Sequence, residues 1–230
     1  MKKHVIGGLL VSLCFSIQAE VLEIWNFTAI DGDYQNNVAL FESAKAIQEK
    51  AGAKVEYWQH DIDGDNIISY VARFKDTAAW AMWKDALMAD ESWLNWINSS
   101  WPKARPHLAN SYAMNNLLNP AAGTDIADGI NVSYMSAWQP SEDSNNMLLM
   151  ASIQKSAAIS EKFGLQTDVY INGPSGIFYI FSGGSSWADV EAKLTKRNAS
   201  AEWQEYWSNA QIKRAGQFVQ QAWITRLTVD

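Results

Sequence analysis

Two distant stretches of this chain read alike, and that internal repeat limits the possible folds more than any other feature. FKDTAAWAMWKDALMADESWLNWINSSW, around Trp80, and SGGSSWADVEAKLTKRNASAEWQEYWSNA, around Trp187, carry aromatic residues in the same order. Trp80 aligns with Trp187, Trp93 with Trp203 and Trp96 with Tyr206. Upstream, EKAGAKVEYW (Glu49 to Trp58) aligns with EKFGLQTDVY (Glu161 to Tyr170), which sets Gly52 opposite Gly164. LEIWNF (Leu22 to Phe27) and VSYMSAW (Val132 to Trp138) open the two copies. The copies span 20–118 and 130–230, joined by the small, turn-rich linker 119–129 (NPAAGTDIADG).

Each copy predicts the same elements. The opening segment is rich in β-branched and aromatic residues, as a strand is. Val38 to Lys50 has helical apolar spacing, and Gly52 and Gly164 fall just past a helix end, where a left-handed residue without a Cβ is favoured. Val55 to His60 alternates. Asp63-Gly64 and Asn172-Gly173-Pro174 then turn the chain into strands at Ile67 to Phe74 and Ile177 to Phe181. Asp76 and Ser185 or Ser186 suit the N-caps of second helices. Last strands follow around Ser111 to Leu118 and Gln217 to Leu227. The fold class is therefore α+β, two tandem ferredoxin-like βαββαβ repeats. Two helices cover one face of a four-stranded sheet; leaving the other in water costs roughly 25 cal/mol per Å². A second copy in the same chain can cover it and give a monomer, although two chains can pair the same way.

With its repeated unit and its FKDTAAWAMWKDALMADESW stretch, the chain resembles the dimeric α+β-barrel superfamily, which includes NIPSNAP-like proteins and antibiotic-biosynthesis-type monooxygenases. The resemblance implies two sheets closing into a pseudo-dimeric α+β barrel with helices outside. It also implies two kinds of activity, cofactor-free oxygenation and haem handling, with the site between the sheets. No branch-specific catalytic set carries over.

The amino terminus reads as an export signal over 1–19: Lys2 and Lys3, an apolar run from Val5 to Ile17, and Ala19 before the cut. That run is shorter than the ~20 residues a bilayer span needs, so no permanent anchor is expected. Leu13 before Cys14 argues against a lipoprotein. Cleavage removes the one cysteine, which excludes disulfides, thiolate metal sites and a cysteine nucleophile. A net charge of −7 argues against nucleic acid. The reading is a periplasmic or secreted protein whose 48% hydrophobic content and 12 tryptophans must hold it together.

Candidate site residues lie on the second strand of each copy. Lys54, Glu56, Trp58 and His60 share one face, as do Gln166, Asp168, Tyr170 and Asn172, while Val55, Tyr57, Thr167 and Val169 face the helices. If the polar faces line the space between the sheets, they form a cavity with acids, aromatics and one imidazole. The alternative is a solvated edge strand kept polar against aggregation. His60 could act as a general base or a haem ligand, or be a surface histidine; His107 falls in a loop near Pro106. Arg73 could meet an anionic ligand or pair with Glu56. Asp61, Asp63 and Asp65 invite a calcium reading, but the EF-hand positions six and twelve hold Asn66 and Ala72, so a solvated turn is preferred, as at Asp31-Gly32-Asp33. Gly183-Gly184-Ser185-Ser186 could hold an anion but reads better as a helix entry and N-cap. Trp80, Trp83, Trp93, Trp96, Trp187 and Trp203 read as core rather than sugar-stacking residues. No cofactor or metal is expected. The favoured function is small-molecule binding (a small apolar ligand) or a structural role; the alternative is the oxygenase or haem-handling enzyme.

Overall fold

The computed structural model describes residues 20–30, 32–61, 67–117, 129–142, 144–173 and 175–227, the side chains of Tyr34, Ala210 and Gln211 excepted. The expected signal segment, linker residues 119–128, and Asp31, Asp63 and Asp65 lie outside them. The first half runs β1 (Val21–Thr28), α1 (Tyr34–Lys50), β2 (Lys54–His60), β3 (Ile67–Phe74), α2 (Thr77–Ala89), α3 (Glu91–Ser99) and α4 (Trp101–Ala104). A 3-10 turn, Arg105–His107, then leads into β4 (Leu108–Asn116). The second half runs β5 (Val132–Pro140), α5 (Asn146–Lys162), β6 (Gln166–Asn172), β7 (Ile177–Gly184), α6 (Trp187–Ala199), α7 (Ala201–Ser208), α8 (Ala210–Ala215) and β8 (Gly216–Leu227).

The strands close a barrel in the order β1-β3-β2-β8-β5-β7-β6-β4, every neighbouring pair antiparallel. Each half contributes four strands in the same order, β4-β1-β3-β2 and β8-β5-β7-β6. Two seams join them, Tyr57 to His60 against Leu227 to Ile224, and Met114 to Asn116 against Asn172 to Tyr170. The expected α+β barrel is what the chain forms.

Side-chain alternation divides each strand between two environments. Leu22 and Ile24 of β1 point inward with Trp58, Val71, Met114, Tyr170 and Tyr179. Val21 and Phe27 point outward to Phe41, Tyr57, Trp83 and Leu87 beneath the first-half helices. In the second half Leu149, Val169 and Phe178 form one outer cluster, and Ile159, Trp203 and Tyr206 another. Gly52 and Gly164 end the first helix of each half with φ of 107° and 79°, values that disfavour any Cβ.

The structure corrects several sequence expectations. Helix α1 starts four residues early, because Asp33, exposed at the end of a turn as expected, is also its N-cap, accepting from the Gln35 amide. His107 lies in the 3-10 turn rather than a loop. The alignment of Trp80 with Trp187 slips by nearly a turn. The N-caps Asp76 and Ser186 are equivalent, and from them Trp93 matches Trp203 and Trp96 matches Tyr206. On that register Trp80 faces Val190, and Trp187 is the first residue of its helix. Trp187 is also not core: it is 40% exposed and stacks on Trp223 at 4.9 Å. Trp83, Trp96 and Trp203 are buried as expected.

Candidate functional site

The polar face of β2 turns into the barrel. Glu56 and Trp58 are 3% and 4% exposed, and their counterparts on β6, Asp168 and Tyr170, are 6% and 2% exposed. The solvated-edge alternative is thereby removed, since β8 and β4 cover the outer edges of β2 and β6.

Inside, these residues form one network. Arg73 donates from Nε to Glu56 Oε2 (3.0 Å) and from Nη1 to Glu20 Oε1 (2.9 Å). Arg226 reaches Glu56 Oε1 (2.8 Å), and the Trp58 indole donates to Glu56 Oε2 (3.1 Å). Tyr170 donates to Glu20 Oε2 (2.6 Å), and Asn116 Nδ2 lies 3.3 Å from both Glu20 Oε2 and Asp168 Oδ1. Burial pushes the Glu56 carboxyl up, but Arg73 and Arg226 outweigh it and leave it below its ordinary value. Burial lifts Asp168 to about 6, with the Asn116 hydrogen bond opposing and Glu20 adding to the rise. Glu20, fully buried, is a member that sequence reasoning missed. The period-two pattern from Leu22 and Ile24 would have placed it inside.

His60 joins a second chain of hydrogen bonds. Its Nε2 lies 2.9 Å from Ser69 Oγ, and Ser69 donates to Asn26 Oδ1 at 2.5 Å. With the serine proton committed to Asn26, His60 donates through Nε2. Beside it lies a cavity of about 60 Å³, lined by Ile24, Val71, Ser133, Tyr179 and Phe181 among others. It can hold a few waters. Organic ligands fill pockets of ~300–1,000 Å³. Glu56, Trp58, His60, Arg73, Asp168 and Tyr170 are thus brought together, and Arg73 finds its anions in the chain itself.

The other sequence candidates are absorbed locally. Asp61 accepts from Thr225 of β8. At the second-half loop the Asp189 carboxylate already takes the Ser185 amide (3.1 Å), while Ser186 caps the Asp189 amide (3.2 Å). Asp189 pairs with Lys193 at 2.8 Å, so the chain fills this would-be anion seat itself.

A roomier concavity lies outside the barrel, between the second-half sheet and α5, α6, α7 and α8. It measures about 280 Å³ and is lined by aromatic, aliphatic and serine side chains together with Arg197 and Lys213. The corresponding space in the first half is about 150 Å³ and mostly aromatic. The register explains the difference. Trp25 pairs with Tyr70 where Ser136 pairs with Ile180, and both follow strand starts (Val21, Val132) matched to the same helix N-caps. Leu87, buried on α2, becomes Arg197 on α6. Ala44 on α1 becomes Ser156 on α5 when the helices are matched through Gly52 and Gly164.

Neither concavity suits a histidine-ligated haem. His60 opens on the small cavity with its Nε2 proton engaged, and no histidine, cysteine or methionine lines the larger pocket.

No family model matches this sequence, and no curated protein does. Solved structures share the fold. A candidate monooxygenase from Lactobacillus acidophilus superposes with a TM-score of 0.58 at 10% identity, over 90% of this chain and 94% of that one. A second, from Fusobacterium nucleatum, gives 0.56 at 10% identity over 91% and 93%. A candidate chlorite dismutase gives 0.53 at 10% identity over 92% and 95%. At such identities the likeness is one of fold.

Proposed function

We propose that this chain is an exported small-molecule-binding protein whose ligand occupies the pocket between the second-half sheet and its helices. One observation carries the reading. Where the first half packs Trp25, Ala44 and Leu87, the second half places Ser136, Ser156 and Arg197, and the space between sheet and helices opens to about 280 Å³. A core that had merely lost bulk would cost stability through its cavity. Hydroxyls and a cation, rather than smaller apolar residues, suit a polar-spotted binding pocket. The barrel interior then serves as a polar core built around the Glu56–Arg73–Glu20 network rather than as the site.

The test uses the neutral fluorophore N-phenyl-1-naphthylamine. The wild type should enhance its emission, and Ser136→Trp, which restores the first-half residue, should abolish the enhancement with the circular dichroism unchanged. Enhancement that persists undiminished in Ser136→Trp would sink the reading.

The oxygenase or haem-handling alternative draws support from the fold shared with the candidate monooxygenases and chlorite dismutase, and fold does not fix chemistry. It predicts a Soret shift on adding haemin that His60→Ala removes. The lining of both concavities favours the outcome without that shift.

A further inference from the structure

We propose that Arg197 makes this pocket selective for a ring-bearing or otherwise apolar molecule that carries one carboxylate, which its guanidinium binds. The inference rests on the pocket being the binding site, as proposed above.

Arg197 stands in the last turn of α6, where a cation ordinarily does no more than offset the helix dipole. Lys196 beside it could serve that purpose from an exposed position. Arg197 instead turns into the pocket and lays its guanidinium on Trp203, 3.9 Å from the ring centroid. Its hydrogen-bond partners are neutral: Nη1 donates to Ser160 Oγ (3.1 Å), and Nε and Nη2 donate to Asn198 Oδ1 (3.1 and 2.9 Å). A guanidinium has five N–H donors in a fixed fork, so donors remain. Among the described residues no carboxylate lies within ion-pair distance of it. Burial lowers its pKa to about 10, which still leaves it charged at neutral pH.

The surroundings point the same way. The pocket lining contains Arg197 and Lys213 and neither aspartate nor glutamate, in a chain whose net charge is −7. Contrast the barrel interior, where Arg73 is met by two carboxylates of the chain itself. A half-buried cation held by stacking, with no acid of its own, is arranged to receive one. With Nε and Nη2 turned to Asn198 and one Nη1 proton to Ser160, one N–H remains on each Nη, and these are the donors from which a guanidinium can hold a carboxylate. Trp138, Trp207 and Ile153 supply the apolar walls, and Ser136 and Ser152 lie among them. A volume near 280 Å³ limits the occupant to a small molecule of one or two rings.

The experiment compares 2-naphthoate with its neutral isostere 2-naphthamide by titration calorimetry, on wild type, Arg197→Lys and Arg197→Leu. Leucine is the residue found at the matching first-half position, so Arg197→Leu should fold, and its thermal midpoint checks this. The wild type should bind the carboxylate at least tenfold more tightly than the amide; Arg197→Lys should keep part of that preference and Arg197→Leu none. Equal affinities in the wild type overturn the carboxylate assignment and leave the pocket standing. A tenfold preference that survives Arg197→Leu overturns the role given to Arg197. If the wild type binds neither compound, the pocket reading fails and this inference with it.

Discussion

Asp168 and Glu56 titrate in opposite directions inside one network, and each therefore leaves its own mark on stability. Burial raises Asp168 from its ordinary value to about 6, so between roughly pH 4 and 6 the folded chain holds a proton that the unfolded chain has lost. Stability from this group is full below the unfolded pKa, declines as pH rises to about 6, and stays lowered above it. Asp168→Asn should stabilise the protein at pH 8 by on the order of 2–3 kcal/mol and do little at pH 4. Thermal midpoints at the two pH values check this, and a variant less stable than wild type at pH 8 would refute it. Glu56 behaves conversely: its lowered pKa contributes stability above the ordinary carboxylate value that is lost as pH falls below it. Glu56→Ala leaves Arg73 and Arg226 short of a partner and should cost about 3–5 kcal/mol, measured by urea unfolding at pH 7. Most of this network was legible, because alternation along β2 and β6 groups its acids and aromatics. Glu20 was legible only in part: alternation from Leu22 and Ile24 turns it inward, but its role depends on a partner 53 residues away. Arg197 was hidden for another reason. The mistaken match of Trp80 with Trp187 shifts α6 by nearly a turn and hides the register, shared by the N-caps and by Trp93 with Trp203, that sets Arg197 opposite Leu87.

Among the elements, the helices show how local chemistry sets boundaries that periodicity alone blurs. Asp90 ends α2 and begins α3, its carboxylate accepting from the Ser92 and Trp93 amides at 2.7 and 3.1 Å. Ser200 does the same between α6 and α7, accepting from the Trp203 amide. The break turns each short second helix so that Trp96 or Tyr206 reaches the first helix of its half. Trp96 donates to Ser43 and Tyr206 meets Ser152. Asp90→Ala should cost about 1 kcal/mol in chemical unfolding, the usual value of an N-cap, while Asp90→Asn should cost less. Equal losses in the two variants would mean that charge, not the cap, matters. In the sequence, the aromatic residues around ADESW and ASAEW recur at helical spacing on both sides of the break, so periodicity alone does not mark it. The strands were easier, since β2 and β3 begin and end where alternation and turn residues place them. β4 was harder: Leu108 to Asn110 carry little apolar signal, and pairing with β1 is what recruits them.

At the scale of the molecule, closure depends on two short seams. Each ladder within a half pairs along most of its strands, whereas β4 meets β6 over Met114 to Asn116 and β2 meets β8 over Tyr57 to His60. Backbone pairing there is slight, so what holds the halves together is the interior they share. Leu22, Ile24, Trp58 and Met114 pack against Tyr170, Tyr179 and Ile224, and Arg73 and Glu20 both reach Tyr170. A face so buried has nothing left to offer a second chain, and we propose that the protein is a monomer in solution. Light scattering coupled to size exclusion should give the mass of a single chain across a hundredfold range of concentration. Hydrogen exchange then tests the cause. If the shared interior rather than the seams joins the halves, the Leu117 and Asp61 amides, which donate across the two seams to the Val169 and Trp223 carbonyls, should exchange in the same slow class as those of β1 and β5, and Tyr170→Ala should move both halves' ladders into faster exchange together. Seam amides that exchange fast while each half stays protected, or a Tyr170→Ala effect confined to β6 and β7, would describe two independently stable units in loose contact.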